Sequence, residues 1–194
     1  ANALGQVSSR QGRIEKRSKT SGAYDGTFGS STGFVNSNSA ASGDDSGIAI
    51  DIDSGYVYAN VFTTNSNPQW NIEKRDISTG NLETTSFDTD GQMQVNPSSG
   101  FGELPTDIKV DGSYIYATGL AEAPNNYFYL AKVDISTGAL VSGFGNSGVV
   151  NGKFQTDNIA YGIALDGSKV YTTGYASNGT DCAWMTESYD LSIG

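Results

Sequence analysis

At 194 residues the chain is long enough for one ordinary domain with a core. Its 37% hydrophobic content, 25 glycines, 11 tyrosines and 4 prolines suit many short strands joined by tight turns rather than a disordered chain. A formal charge of −10 repels phosphate backbones, so nucleic acid is not an expected partner, and no apolar run approaches the length of a membrane-spanning helix. The sequence has no histidine, which removes the commonest general base, the commonest metal ligand and the Ser-His-Asp arrangement.

In chain order, the first feature is Ala1-Asn2, which aligns with Ala59-Asn60 at an offset of 58 residues and reads as the middle of a strand. A basic cluster follows, Arg10, Arg13, Lys16, Arg17 and Lys19. It reads either as an interaction arm or, preferably, as a solvated strand face. Ile14-Glu15-Lys16-Arg17 leads to Thr20-Ser21-Gly22, then to a Phe28-Gly29 turn and a short strand at Gly33-Phe34-Val35. From here every feature returns. Ile50 and Ile52 alternate toward an Asp53-Ser54-Gly55 hairpin. A strand at Tyr56-Val57-Tyr58-Ala59 follows, and then one carrying Trp70 and Ile72. Ile72-Glu73-Lys74-Arg75, Ser78-Thr79-Gly80, Phe87-Asp88 and Gln92-Met93-Gln94-Val95 complete the unit.

The next unit repeats the order with Ile108, Val110, Asp111-Gly112-Ser113, Tyr114-Ile115-Tyr116-Ala117, Phe128, Leu130-Ala131-Lys132-Val133, Ser136-Thr137-Gly138, Phe144-Gly145 and Gly148-Val149-Val150. A last unit carries Ile163, Leu165, Asp166-Gly167-Ser168, Lys169-Val170-Tyr171-Thr172, Trp184 and a closing Tyr189-Asp190-Leu191-Ser192-Ile193-Gly194. Lys16, Lys74 and Lys132 are spaced by 58 residues each time, and Gly138 to Gly194 is 56. Self-similarity at such a period marks a repeat architecture. Strand, hairpin, strand, loop, strand, glycine turn, strand is the plan of a β-propeller blade. The expected fold is therefore all-β: four-stranded antiparallel sheets at a period of about 55–58 residues, arranged as an incomplete propeller ring. A β-solenoid is the rival. The expected divisions are a partial blade over 1–47, blades over 48–105 and 106–158, and a partial blade over 159–194, with roughly fourteen strands in all.

The Asp-Gly hairpin, the Tyr- or Val-rich strand, the Lys/Arg strand end, the glycine turn and Phe-Gly together resemble the bacterial propeller repeats of the SBBP type and their delta-sixty relatives. The resemblance covers nearly the whole chain. It implies a propeller within a large secreted or surface protein, and assigns no activity. Asp53-Ser54-Gly55 departs from the pattern, and the last unit lacks the lysine.

The remaining chemistry is sparse. Cys182 has no second cysteine to pair with and no histidine beside it, and reads as a small buried or half-buried filler rather than a nucleophile. Carboxylates are the abundant functional groups. Asp51 and Asp53 at a strand end, and Asp88 and Asp90 in a loop with Asp44-Asp45 in another, are oxygen ligands of the kind calcium takes, yet none completes a calcium loop. Turn chemistry, with aspartate bonding nearby backbone, is the favoured reading. Nothing in the spacing selects a glycosidase pair. Trp70, Phe128 and Trp184 form a column suited to packing between blades, with sugar stacking as the alternative. Tyr56, Tyr58, Tyr114, Tyr116 and Tyr171 suit strands with one wet end. Asn178-Gly179-Thr180 fits a glycan acceptor.

The function expected from these features is a non-catalytic binding or scaffold propeller, extracellular, on a cell surface or periplasmic. Its ligand is a protein or a polysaccharide, and it needs no cofactor and no membrane insertion. Two alternatives stand beside it. The ring is expected to be completed by missing blades of a longer chain, the preferred reading, or by neighbouring subunits; the first alternative function is accordingly a structural subunit of a filament or surface layer that assembles through exposed strand edges. The other is a non-catalytic segment of a larger propeller enzyme.

Overall fold

The computed structural model describes residues 10–37, 43–64, 68–98, 101–123, 125–152 and 157–194. Among them the chain folds into thirteen strands in four antiparallel sheets, and no helix is long and apolar enough to cross a membrane. The expected strand through Ala1-Asn2 lies outside the described residues. The first sheet pairs β1 (Arg13–Glu15) with β2 (Phe34–Asn36). The second runs β3 (Asp44–Ile52), β4 (Tyr56–Thr64), β5 (Pro68–Asp76) and β6 (Gln92–Val95), each strand beside its predecessor. The third repeats that meander with β7 (Glu103–Val110), β8 (Tyr114–Ala123), β9 (Asn125–Asp134) and β10 (Val149–Asn151). The fourth contains β11 (Asn158–Leu165), β12 (Lys169–Ser177) and β13 (Cys182–Asp190).

The Asp hairpins form for a local reason. Asp53 Oδ1 accepts from the backbone N–H of Gly55 and Tyr56, both at 2.8 Å; Asp111 does the same for Ser113 and Tyr114, and Asp166 for Ser168 and Lys169, the second of each pair opening β8 or β12. A carboxylate that satisfies two turn amides fixes the bend before the strands pair. The resulting register sets Ile52 opposite Val57, Val110 opposite Ile115 and Leu165 opposite Val170.

The first strands of the second, third and fourth sheets begin at Asp44, Glu103 and Asn158, ahead of the divisions at 48, 106 and 159. Each of these strands carries a register shift, at Gly47/Ala49, Pro105/Asp107 and Ala160/Gly162. A bulge breaks the two-residue alternation, so the apolar pattern becomes readable only beyond it. Asp44 and Asp45, expected in a loop, accordingly lie in β3.

The sheets stack face to face in chain order. β3 lies against β7 and β7 against β11, so the first strands of successive sheets are neighbours. Each interface has its own core. Ile14 and Phe28 meet Val57, Ala59 and Val61. Tyr58, Trp70 and Ile72 meet Ile108, Ile115, Ala131 and Val133. Tyr116, Phe128 and Leu130 meet Ala160, Ile163, Val170 and Met185. Each of the Val, Leu, Ile, Phe and Met side chains among them stabilises by about 1.5–3 kcal/mol when taken fully from water. The sandwiched strands show it: β4 and β5 are buried on both faces along most of their length, whereas β12 alternates buried and exposed residues throughout its first six positions. Among the described residues the four sheets form an open succession and do not close a ring.

Candidate binding surface

The landmarks that recur along the sequence are the contacts that join one sheet to the next. The amide after each turn phenylalanine donates to the Ser/Thr-Gly turn of the following unit: Gly29 N to Thr79 O (2.8 Å), Asp88 N to Thr137 O (2.9 Å) and Gly145 N to Ile193 O (2.8 Å). Gly29, Asp88 and Gly145 all have positive φ (63°, 43° and 55°). A β-carbon on Gly29 or Gly145 would also fall within 2.4 Å of a backbone oxygen, so aspartate at the middle position is the strained member of the set. The lysines reach the same way. Lys74 Nζ donates to Ile135 O at 2.8 Å above the Tyr56 ring, and Lys132 Nζ donates to Leu191 O above the Tyr114 ring. Burial holds both ammonium groups below the usual lysine range.

The four carboxylates with calcium-like chemistry do not converge on one point. Asp51 Oδ2 accepts from Val110 N of the third sheet at 2.9 Å. Asp107 repeats this bond to Ile163 N of the fourth at 2.9 Å. Asp53 caps its hairpin and receives the Tyr58 hydroxyl at 2.9 Å; burial opposes ionisation there, but the three bonds outweigh it and hold the carboxyl below the usual range. Asp88 lies in the strained turn, and Asp90 Oδ1 accepts from Gln92 N at 2.9 Å. Among the described residues no three Cys, Asp or Glu side chains form a metal-sized group.

Sequence reading missed a column of buried polar groups at the start of the first strands: Asp45, Glu103 and Asn158, each 3% exposed or less. Their register partners Thr63, Ala121 and Ala176 occupy equivalent positions in β4, β8 and β12. Asn158 Oδ1 accepts from Phe128 N at 2.6 Å, which ties the fourth sheet to the third. At Glu103, Asn96 Nδ2 donates to Oε1 at 3.0 Å in the amide orientation that satisfies both of its ends. Burial pushes the Glu103 carboxyl up to about 7. Its folded-state pKa therefore lies above its unfolded value. The protonated carboxyl favours the fold at low pH, and that contribution is lost as pH rises through about 7. Glu103→Gln is expected to be more stable than the parent by about 2–3 kcal/mol at pH 8, shrinking to under about 1 kcal/mol near pH 4.5. Urea unfolding at the two pH values reads the difference, and an effect of equal size at both would remove the buried-acid account.

The aromatic column divides. Trp70 and Phe128 are fully buried between sheets, as expected for inter-sheet packing, but Trp184 is 93% exposed. Trp184 lies on the face of the fourth sheet turned away from the third, which no described sheet covers. Cys182, expected to be buried or half-buried, is exposed beside it for the same reason. Trp184, Tyr161 and Tyr175 line a shallow cleft of about 250 Å³ with Gly174, Cys182 and Ala183, and the two tyrosine rings lie 6.0 Å apart. Tyr171, on the same face, donates its hydroxyl to Asp166 at 2.8 Å.

At the opposite side of the stack, Arg13 and Glu15 of β1 and Arg17 just beyond it are exposed to solvent. Arg13 lies over the Phe34 ring and Arg17 over the Tyr24 ring, at 4.0 and 3.8 Å. The basic cluster is thus a strand face and the turn beyond it. Comparison with protein-family models, with curated proteins and with solved structures finds no match to the chain.

Proposed function

We propose that the chain is a run of β-propeller blades acting as a non-catalytic binding or scaffold module of a secreted or cell-surface protein. The observation that carries this reading is the face-to-face succession of meandering sheets with β3, β7 and β11 side by side. That is how blades pack around a propeller axis. The resemblance to secreted propeller repeats supports the same location. The placement of the carboxylates supports a non-catalytic role, because Asp51, Asp53, Asp107 and Asp166 spend their oxygens on turns and on neighbouring sheets.

The exposed aromatic face of the fourth sheet is the surface offered to a protein or polysaccharide ligand. Trp184 is a built-in reporter, since the other tryptophan, Trp70, is buried. Titration with soluble polysaccharides is expected to shift Trp184 emission without shortening the polysaccharide. No shift with any of them makes a protein the ligand class. Release of new chain ends, lost on replacing a carboxylate, would overturn the non-catalytic reading.

A further inference from the structure

The chain itself shows what covers a face like that of Trp184. Strand register places Trp184 opposite Tyr175, as Trp70 is opposite Phe62 and Phe128 opposite Leu120. Trp70 and Phe128 are each closed over by the next sheet, and both are fully buried. The occupant suited to the open face is therefore the leading face of another sheet of this kind.

The opposite side of the stack offers such a face, and it too has an internal precedent. Glu15 at the end of β1 and Arg17 just beyond it form an ion pair at 2.9 Å, with side chains 32% and 45% exposed. Glu73 and Arg75 form the same pair at 2.8 Å one unit later, with side chains 0% and 7% exposed, and there the pair is buried against the preceding sheet through Ser37 and Asn36. In the chain's own packing, then, a face with a Glu–Arg pair is one that accepts a neighbouring sheet.

The two sides are also opposite in charge. Residues 10–37 carry Arg10, Arg13, Lys16, Arg17 and Lys19 against Glu15 and Asp25. Residues 157–194 carry Asp157, Asp166, Asp181, Glu187 and Asp190 against Lys169, and Asp166 and Asp181 are exposed at the rims of the aromatic face. A chain with a net charge of −10 should repel its own copies. A basic first sheet set against an acidic last sheet reverses that at one relative orientation only.

We propose that the Trp184 face of the fourth sheet docks the Arg13–Arg17 face of the first sheet of a second copy, head to tail. This rests on the propeller reading and names its ligand as another molecule of the same chain. The contact is between sheet faces, not between strand edges. Being heterologous, it closes into a ring or runs on as a fibre according to the angle between copies.

Sedimentation velocity on the 194-residue chain, from below 1 μM to about 100 μM at low salt, tests it. Association is expected, at least about tenfold weaker for Trp184→Lys and for the Arg13→Glu/Arg17→Glu double variant, and weaker again at high salt. These side chains are exposed, so each variant should keep the parent's circular dichroism, with a melting temperature lowered by no more than about a few degrees in the double variant, which loses the Glu15–Arg17 pair. Mixing the two variants leaves one intact head and one intact tail, and should restore a one-to-one complex. A chain that stays monomeric throughout overturns the proposal. So does association that Trp184→Lys leaves unchanged, or a double variant that self-associates as well as the parent. A monomer whose Trp184 emission still responds to a polysaccharide would reject the second copy while the binding-module reading stands.

Discussion

Trp70→Ala is expected to cost about 3–5 kcal/mol, and Trp184→Ala less than about 0.5 kcal/mol, although the two residues hold the same place in their repeats. Trp70 is fully buried between the second and third sheets. The backbone of Gly119 in β8 is so close that a β-carbon there would lie 2.8 Å from the ring. The indole Nε1 donates to Asn60 Oδ1 at 2.8 Å, and Asn60 Nδ2 in turn donates to Asp107 O of the third sheet at 2.8 Å. Truncation leaves a cavity and strips a buried acceptor of its donor, two costs that add. Domain stabilities are of the order of 5–15 kcal/mol, so much of the total is at stake. Among the described residues Trp184 has no such surroundings, and it is exposed. Denaturant unfolding of both variants below the association range measures the contrast. Similar losses at the two positions would mean that burial does not differ between the faces.

That contrast also marks how far the sequence could be read. The repeat was legible because its landmarks are contact residues. Lys74 and Lys132 reach the next sheet, the amide after each turn phenylalanine bonds the following turn, and each hairpin aspartate caps its own strand. Local rules of this kind leave a mark at every copy, so period and strand order follow from the residues alone. Exposure is different, because it belongs to the neighbour and not to the residue. Trp184 and Cys182 carry apolar chemistry suited to a covered face, yet among the described residues the fourth sheet is covered on one side only. The Asp45, Glu103 and Asn158 column was hidden by the bulges that follow it and by its change of residue type. Aligning the strands backward through each bulge is the step that would have found it. Bonds such as Asp51 to Val110 N have no sequence signature, because they join residues in different sheets.

The second large effect concerns the paired Glu–Arg positions. Arg75→Ala is expected to cost about 3–5 kcal/mol, because it leaves Glu73 buried without its cation. Ser37 Oγ still donates to Glu73 Oε1 at 2.6 Å, but the guanidinium bonds to Glu73, to Gly80 O at 2.9 Å and toward Asn36 O are lost. The same substitution at Arg17 removes the same pair from an exposed site, along with the bond to Gly22 O at 3.0 Å, and should cost no more than about 1 kcal/mol. Added salt should shrink the Arg17 effect and spare that of Arg75, since screening acts on the solvated pair. The third sheet shows what else these positions tolerate: Ala131 and Val133 occupy them, fully buried. Glu73→Ala/Arg75→Val therefore moves an apolar solution from one interface of the chain to another. It should be less destabilising than Arg75→Ala alone, because no buried carboxylate is left without its cation. Unfolding free energies of the single and double variants close the cycle. If the double variant loses as much as the two single substitutions together, the pair is not acting as a buried unit.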